Sequence, residues 1–227
     1  IKKKYDRFLV DHYGVYQKCK QIASKYADEY PLKIEYFRDN IPMYECFGVE
    51  RELEKALKSK IWLSSGGYLY FDRTEAMYTI DVNSGQSIKE SNIEKTALKT
   101  NLEAAEEIPR QIKIRDLSGL IVIDFIDMDD RRNNTAVEKR IKDKLKTDRA
   151  RIQIGRISGF GLLEMSRQRL RTGVLEASTR ECPHCEGTGL VRTASSAALS
   201  ALRLIEDEAA KGHGSQIVLQ ASQEATI

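Results

Sequence analysis

Residues 76–83 form a strand-like run and residues 120–124 a continuous apolar run; both close on acidic or amide side chains, and a long helical pattern lies between them. A helix between two strands is the natural crossover joining parallel neighbours in one sheet, and it would carry both strand ends to one edge. The helix opens on the capping pair Ser91 and Glu94 and carries Leu98, Leu102, Ala105 and Ile108 at helical spacing. Pro109 should kink or end it. Residues 120–124, apolar without alternation up to Asp124, read as a strand buried on both faces.

The flanking sequence extends the same alternation. Residues 12–26 carry Val15, Cys19, Ile22 and Tyr26 on one helical stripe, so Cys19 reads as a core thiol. Residues 33–37 alternate as a short strand, residues 49–58 read as a helix, and Cys46 between them is treated as structural. Two short strands, 61–63 and 68–71, are joined by the turn chemistry of residues 64–67. Val137, Ile141 and Leu145 give a further helix its stripe; a strand at 151–154 and a helix at 160–169 follow. A later helix carries Ala198, Leu202, Ile205 and Ala209 and stops at Gly212, and residues 216–220 begin another strand. The class is α/β, of the mixed α+β kind.

On a strand, Asp81 and Asn83 share a face, so both can converge on one ion, and Asp124 closes the neighbouring strand. Magnesium prefers one or two carboxylates plus waters and phosphate oxygens, so two aspartates and an amide suffice chemically. The alternative is that strand-end acids are solvated or cap the next element. Asp127, Asp129 and Asp130 fall in an expected loop, where a solvated role is the expectation.

Cys182-Pro183-His184-Cys185, followed by Glu186-Gly187-Thr188-Gly189, pairs two thiols across a tight turn. A structural zinc takes four ligands, so the motif supplies half a site and a second copy of the chain the other half. A redox C-x-x-C is the alternative, but it belongs at the start of a helix after a strand, and the glycine-rich tail does not fit.

Charge adds the nature of the partner. From Arg131 to Arg180 there are 14 Lys or Arg against five Asp or Glu, a basic block beside an acidic site, which suits a polyanion held with a cation. A solvated, salt-laced helix face would read the same way. No apolar run approaches membrane-spanning length, and with Ile1-Lys2-Lys3-Lys4 at its start and no signal peptide the chain reads as a fragment of a cytoplasmic protein.

Six blocks carry a resemblance. They are residues 74–84 around Ile80-Asp81-Val82-Asn83, residues 101–108, residues 119–128 around Ile123-Asp124-Phe125, residues 148–153, residues 160–169, and the C-P-x-C-x-G-T-G at Cys182. In this order they resemble the catalytic domain of the ribonuclease E/G family and cover most of residues 48–211. The resemblance implies a partial RNase-H-like subdomain at 1–56, a deoxyribonuclease-I-like catalytic subdomain at 57–178, a zinc link at 179–192 and a truncated small dimerisation domain beginning at 193–227. It implies magnesium on Asp81 and Asp124 with Asn83 assisting, and zinc on Cys182 and Cys185 shared between protomers, one ion per dimer. Arg151 would belong to a pocket for the substrate's 5′-monophosphate.

The activity implied is endonucleolytic hydrolysis of single-stranded RNA in mRNA decay and in rRNA and tRNA processing, leaving 5′-monophosphate and 3′-hydroxyl ends. The assembly implied is a homotetramer, a dimer of zinc-clasped dimers. Degradosome-type protein partners would bind segments outside this chain, and a full-length protein would be cytoplasmic, at the periphery of the inner membrane. A zinc-clasped RNA-binding module without catalysis is the competing class, and the family's E and G branches remain open.

Overall fold

The computed structural model describes residues 7–25, 33–85, 93–212 and 216–220. The chain divides into two compact units, Ile1–Ser178 and Thr179–Ile227. The first opens with β1 (Arg7–Val10), α1 (Tyr13–Ser24), β2 (Lys33–Tyr36), α2 (Met43–Cys46) and α3 (Val49–Leu57). It continues through β3 (Lys60–Trp62), β4 (Tyr68–Arg73), β5 (Met77–Asn83), α4 (Ile93–Arg115), β6 (Gly119–Asp124), α5 (Arg131–Leu145), β7 (Ile152–Ile157), β8 (Leu162–Arg167) and α6 (Val174–Ser178). The second unit contains α7 (Ala194–Lys211), which ends on left-handed Gly212.

β1 and β2 pair in parallel. The rings of Tyr13 and Tyr16 on α1 pack around Tyr36 of β2, the first pair edge-on with centroids 5.5 Å apart. The expected stripe of α1 is not a core stripe: Val15 and Ile22 are exposed and Cys19 is half-buried, because the tyrosines make the helix's ring contacts with the strand. Tyr26 lies outside the described residues. Cys46 is exposed at the end of α2 and not in a core.

The large sheet has the order β3-β4-β5-β6-β8-β7. β3, β4 and β5 form an antiparallel meander, β5 and β6 are parallel, and β8 pairs antiparallel with both β6 and β7. α4 is the crossover that joins the parallel pair, as the sequence order requires. Ile108 and Ile112 of α4 and Val137 and Ile141 of α5 are fully buried in one core with Leu69, Ile80, Ile121, Ile123 and Leu163 of the sheet. The opposite face of the sheet is open.

Four expectations change. α4 continues through Pro109 to Arg115: the proline removes one backbone donor, but Ile108, Pro109 and Ile112 are all buried, and packing outweighs the local cost. β6 is covered on one face only, with Ile121 and Ile123 buried and Leu120 43% exposed, since the helices lie on one side of the sheet. Residues 162–167 are a strand and not a helix. Leu163, Met165 and Arg167 point inward with a period of two, and pairing to strands on both sides overrides the helix-favouring Leu-Leu-Glu-Met composition. Residues 216–220 are irregular, with no strand.

A buried ionic network closes one end of the sheet. Arg167 donates to Asp116 Oδ1 at 2.7 Å, to Leu117 O at 2.9 Å and to Asp148 Oδ2 at 2.8 Å, with all three charged side chains at most 4% exposed. Asp116, left-handed at φ 53°, caps α4, so this one guanidinium ties the end of α4 to the α5–β7 loop and to β8. Burial by itself would raise both carboxyls, but hydrogen bonds from Arg167, joined by Arg171 at Asp116 and Ala150 N–H at Asp148, outweigh it and hold both below the ordinary value. Nearby, Arg115 lies over the Phe71 ring at 4.2 Å and caps the end of α3 through Lys55 O and Lys58 O. Burial pulls its pKa down to about 10.

Arg167→Met is expected to destabilise the protein by about 3–5 kcal/mol in denaturant unfolding, because it leaves buried carboxylates without their partner. Both carboxyls titrate lower in the folded chain than in the unfolded one. Their stabilisation is therefore full above the ordinary aspartate value of 3.8 and is lost as pH falls below it through the folded values. The variant should show a flatter acid limb than the parent; identical acid limbs would contradict this.

Candidate functional site

The parallel register of β5 and β6 sets Asp81 directly beside Asp124 at the C-terminal edge of the sheet. Ile80 and Ile123, one residue earlier, are buried, so both carboxylates stand on the open face. Asn83, two residues past Asp81 on the same face, donates its amide to Asp81 Oδ2 at 2.6 Å. The three expected side chains are thus brought together.

Asp124 is raised above the ordinary aspartate value, first by partial desolvation against the sheet, then by the charges of Asp81 and Asp127. Asp127 is exposed in its loop, as expected, and its carboxylate also lies near the pair. A Cβ placed on Gly161 would lie 3.0 Å from Asp127 Oδ1 and 3.8 Å from Asp124 Oδ1. Asp130, by contrast, caps α5 and pairs with Arg132.

Polar side chains of α4 hold the loops around this edge. The fully buried Asn101 both donates to Ile126 O at 2.8 Å and accepts from Ile126 N at 3.1 Å, pinning the loop that carries Asp127. Glu94 accepts from Asp129 N–H, Asp130 N–H and the Asn133 amide, so it caps the start of α5; its expected capping partner Ser91 lies outside the described residues. Those bonds, the one from Asn133 foremost, lower its pKa. Glu103 accepts from Ser64 and Ser65 N–H and fixes the β3–β4 turn. The sequence offered no role for Asn101 or Glu103; the available signal was Asn101, a polar residue at a position of the helix's buried face.

Among the described residues, no group of three or more His, Cys, Asp or Glu is placed to hold a metal. The edge instead offers two adjacent carboxylates and an amide, which fits a cation that takes its remaining ligands from water and phosphate. Adjacent like charges favour such a cation, since it offsets the repulsion between the two carboxylates.

Arg151 is not part of this cluster. It precedes β7, which runs parallel to β6 through β8, and the neighbouring Ile152 lies level with Arg167 and Gly119. That is the end of the sheet opposite Asp124. Its backbone pairs with Gln168, and the residue is exposed.

In the second unit, Cys182 and Cys185 flank a turn in which Glu186 N–H donates to Cys182 O at 2.9 Å and Thr188 N–H to Cys185 O at 2.8 Å. Backbone N–H groups of His184 and Cys185 point at the Cys182 sulfur and lower its pKa, which favours the thiolate a metal would bind. The next helix begins only at Ala194, so the pair does not sit at the helix start that a redox C-x-x-C uses.

Gly67 lets the β3–β4 turn lie against the end of β5: a Cβ there would meet Asn83 O at 2.6 Å and Thr100 Cγ2 at 2.9 Å. Gly67→Ala is therefore expected to cost about 1–3 kcal/mol in denaturant unfolding, as overpacking does, by forcing the strand end that carries Asn83 to move. An unchanged midpoint would show that the turn can retreat freely.

The family model described as Ribonuclease E/G family matches residues 1–170, and that described as RNase E/G, Thioredoxin-like domain matches residues 181–227. The chain is 44% identical over 217 residues to ribonuclease E of Haemophilus influenzae, covering 96% of this chain and 23% of the relative. It is 47% identical over 210 residues to ribonuclease E of Escherichia coli K12, covering 92% of this chain and 20% of the relative. Ribonuclease G of the same strain is 37% identical over 200 residues, covering 88% of this chain and 41% of the relative. The chain thus spans less than half the length of these relatives, and it belongs to the ribonuclease E/G family.

Proposed function

We propose that this chain is the catalytic core of a magnesium-dependent endoribonuclease acting on single-stranded RNA. The observation that carries the reading is the side-by-side register of Asp81 and Asp124, with Asn83 bonded to Asp81. When bound there, magnesium neutralises charge on the scissile phosphate and activates water. Asp81 and Asp124 would hold the cation at the strand ends. Asn83 orients the Asp81 carboxylate by donating to its Oδ2. The attacking water oxygen bonds to phosphorus and the P–O3′ bond breaks, with a proton going to the departing oxygen; the products are a 5′-monophosphate and a 3′-hydroxyl. Single strands are the proposed substrate because their unstacked bases can be gripped beside the scissile phosphate.

The same reading assigns residues 57–178 to the catalytic subdomain, 1–56 to a partial RNase-H-like subdomain, 179–192 to a zinc link and 193–227 to the start of a small dimerisation domain. Cys182 and Cys185 supply two zinc ligands, and a second chain completes the tetrahedron. Two such dimers make a tetramer. Arg151, remote from the acids, then serves a separate 5′-monophosphate pocket and not the scissile phosphate. Roles in mRNA decay and rRNA and tRNA processing, a cytoplasmic location at the inner-membrane periphery, and degradosome-type partners bound through other segments complete the proposal. None of the described helices is long and apolar enough to cross a membrane. The higher identity to ribonuclease E than to ribonuclease G favours the E branch.

In an enzyme carrying this chain, Asp81→Asn and Asp124→Asn are each expected to slow cleavage of a 5′-monophosphorylated, AU-rich single-stranded RNA by roughly a hundredfold or more, with chelation abolishing cleavage and magnesium restoring it. Undiminished cutting by either variant would overturn the metal assignment. Zinc analysis should give one ion per two chains, and Cys182→Ser should remove the zinc and halve the assembly in sedimentation. A zinc-free parent of unchanged mass would refute the clasp.

A further inference from the structure

The open face of the large sheet carries more than the acids. Register places Lys60, Tyr70, Asp81 and Asp124 in one row across β3, β4, β5 and β6, and Trp62, Tyr68 and Asn83 in the next row. Alternation puts all seven side chains on the side away from α4 and α5, since Ile61, Leu69, Ile80, Val82 and Ile123 point into the core. Neighbouring strands are about 4.8 Å apart, so the aromatic group begins one strand from Asp81 and ends two strands away.

Trp62 is 65% exposed and Tyr70 45% exposed, on a sheet whose other face is densely packed. A tryptophan this open is unusual, because burying the indole is favourable. Its ring meets Tyr68 edge-on, with centroids 5.4 Å apart, so its orientation is fixed without being covered. The ammonium of Lys60 sits over both rings, 3.6 Å from the Tyr68 centroid and 4.3 Å from the Trp62 centroid. A rigid, exposed aromatic surface with a cation at its edge is the combination that grips single-stranded nucleic acid: the ring stacks a base and the cation meets the phosphate.

We infer that Trp62, braced by Tyr68, is a stacking platform for a nucleobase of single-stranded RNA flanking the scissile phosphate, with Lys60 contacting the adjoining phosphate. The inference rests on the nuclease reading of Asp81 and Asp124 for its meaning, and charge selects the occupant. One row runs from the Lys60 cation through Tyr70 to a pair of acids that would hold a cation, and the adjoining row carries Trp62 and Tyr68, so a polyanion with stackable bases is matched across the two rows. A short stretch of extended single strand bridges the platform and the acids. Trp62 would then be a positioning residue that sets where the strand lies relative to the ion.

Trp62 is the chain's single tryptophan, so its fluorescence reports this platform alone. The test titrates the chain, in chelator and without divalent metal, with oligoadenylate, oligouridylate and an abasic oligonucleotide of equal length and charge. Saturable quenching by the two base-bearing strands and little by the abasic one is expected. Equal quenching by all three, or none, overturns the platform. Fluorescence that changes with protein concentration alone would assign the face to a second copy instead. Trp62→Ala should weaken binding of a labelled single strand by roughly tenfold in anisotropy, and Trp62→Phe should recover most of it, with circular dichroism confirming the fold of both. Failure of Phe to rescue would count against stacking. Asp81→Asn separates the two readings: it should lose cleavage and keep the quench. Lost cleavage with no quench in the parent refutes the platform alone, whereas retained cleavage refutes the metal assignment whatever Trp62 does.

Discussion

The parallel pairing of β5 with β6 is the constraint on which the rest of the structure depends. Parallel neighbours need a long crossover, and α4 supplies it while burying Ile108 and Ile112 against the sheet. The pairing leaves no freedom in what stands beside what. With a side-chain period of two, a slip of one residue would turn Asp81 or Asp124 into the core and an isoleucine out to solvent. The four isoleucines Ile80, Ile108, Ile121 and Ile123, all essentially inaccessible, therefore specify the relation between the acids as firmly as they stabilise the domain. Hydrophobic packing here is also the device that sets the spacing of charge.

The acids themselves work against the fold. Two carboxylates side by side, with Asp127 close by, raise Asp124 and would repel when ionised. Structure is invested around them instead. Asn101 and Glu94 on α4 fix the loop after β6, Glu103 fixes the β3–β4 turn, and Asn83 restrains Asp81. The opposite end of the sheet is locked by Arg167 between Asp116 and Asp148, an arrangement in which each charge has its counter-charge. One end is satisfied by its own counter-charges and the other is left electrostatically incomplete. That contrast separates a structural ion pair from the strand edge where we propose that a cation binds.

The parts of this design that were legible in the sequence are those governed by local periodicity and chain order. The two acid-terminated strands, the helix between them and the Val137, Ile141, Leu145 stripe follow from patterns that tertiary packing reinforces. The misreadings share one cause, a local preference overridden by neighbours distant in sequence. Leu162 to Arg167 has helix-favouring residues, but the open side of β6 needed a partner. Pro109 should break a helix, but it is buried in one whose flanking residues are core. Leu120 looked buried because its run is apolar, and only the one-sided placement of the helices reveals it as exposed. Glu94 also binds the start of α5, a contact across 35 or more residues that no window of sequence discloses.

One-sided covering also explains why the site is open. Had helices packed on both faces, as the apolar run of β6 suggested, Asp81 and Asp124 would lie under a second layer and no polymer could reach them. Leaving that face bare costs the protein the burial of Trp62, Tyr70 and Leu120, side chains whose apolar area would otherwise contribute to stability. Here the exposed rings are grouped and not scattered, which is what marks a surface as a contact site. On this face Tyr70 shares a row of the sheet with Lys60, Asp81 and Asp124, and Trp62 shares the next with Asn83, which places the exposed rings beside the acids where we propose that RNA is bound. A flat, rigid strand array suits that role better than a loop, because register fixes the distance from ring to carboxylate before any substrate arrives.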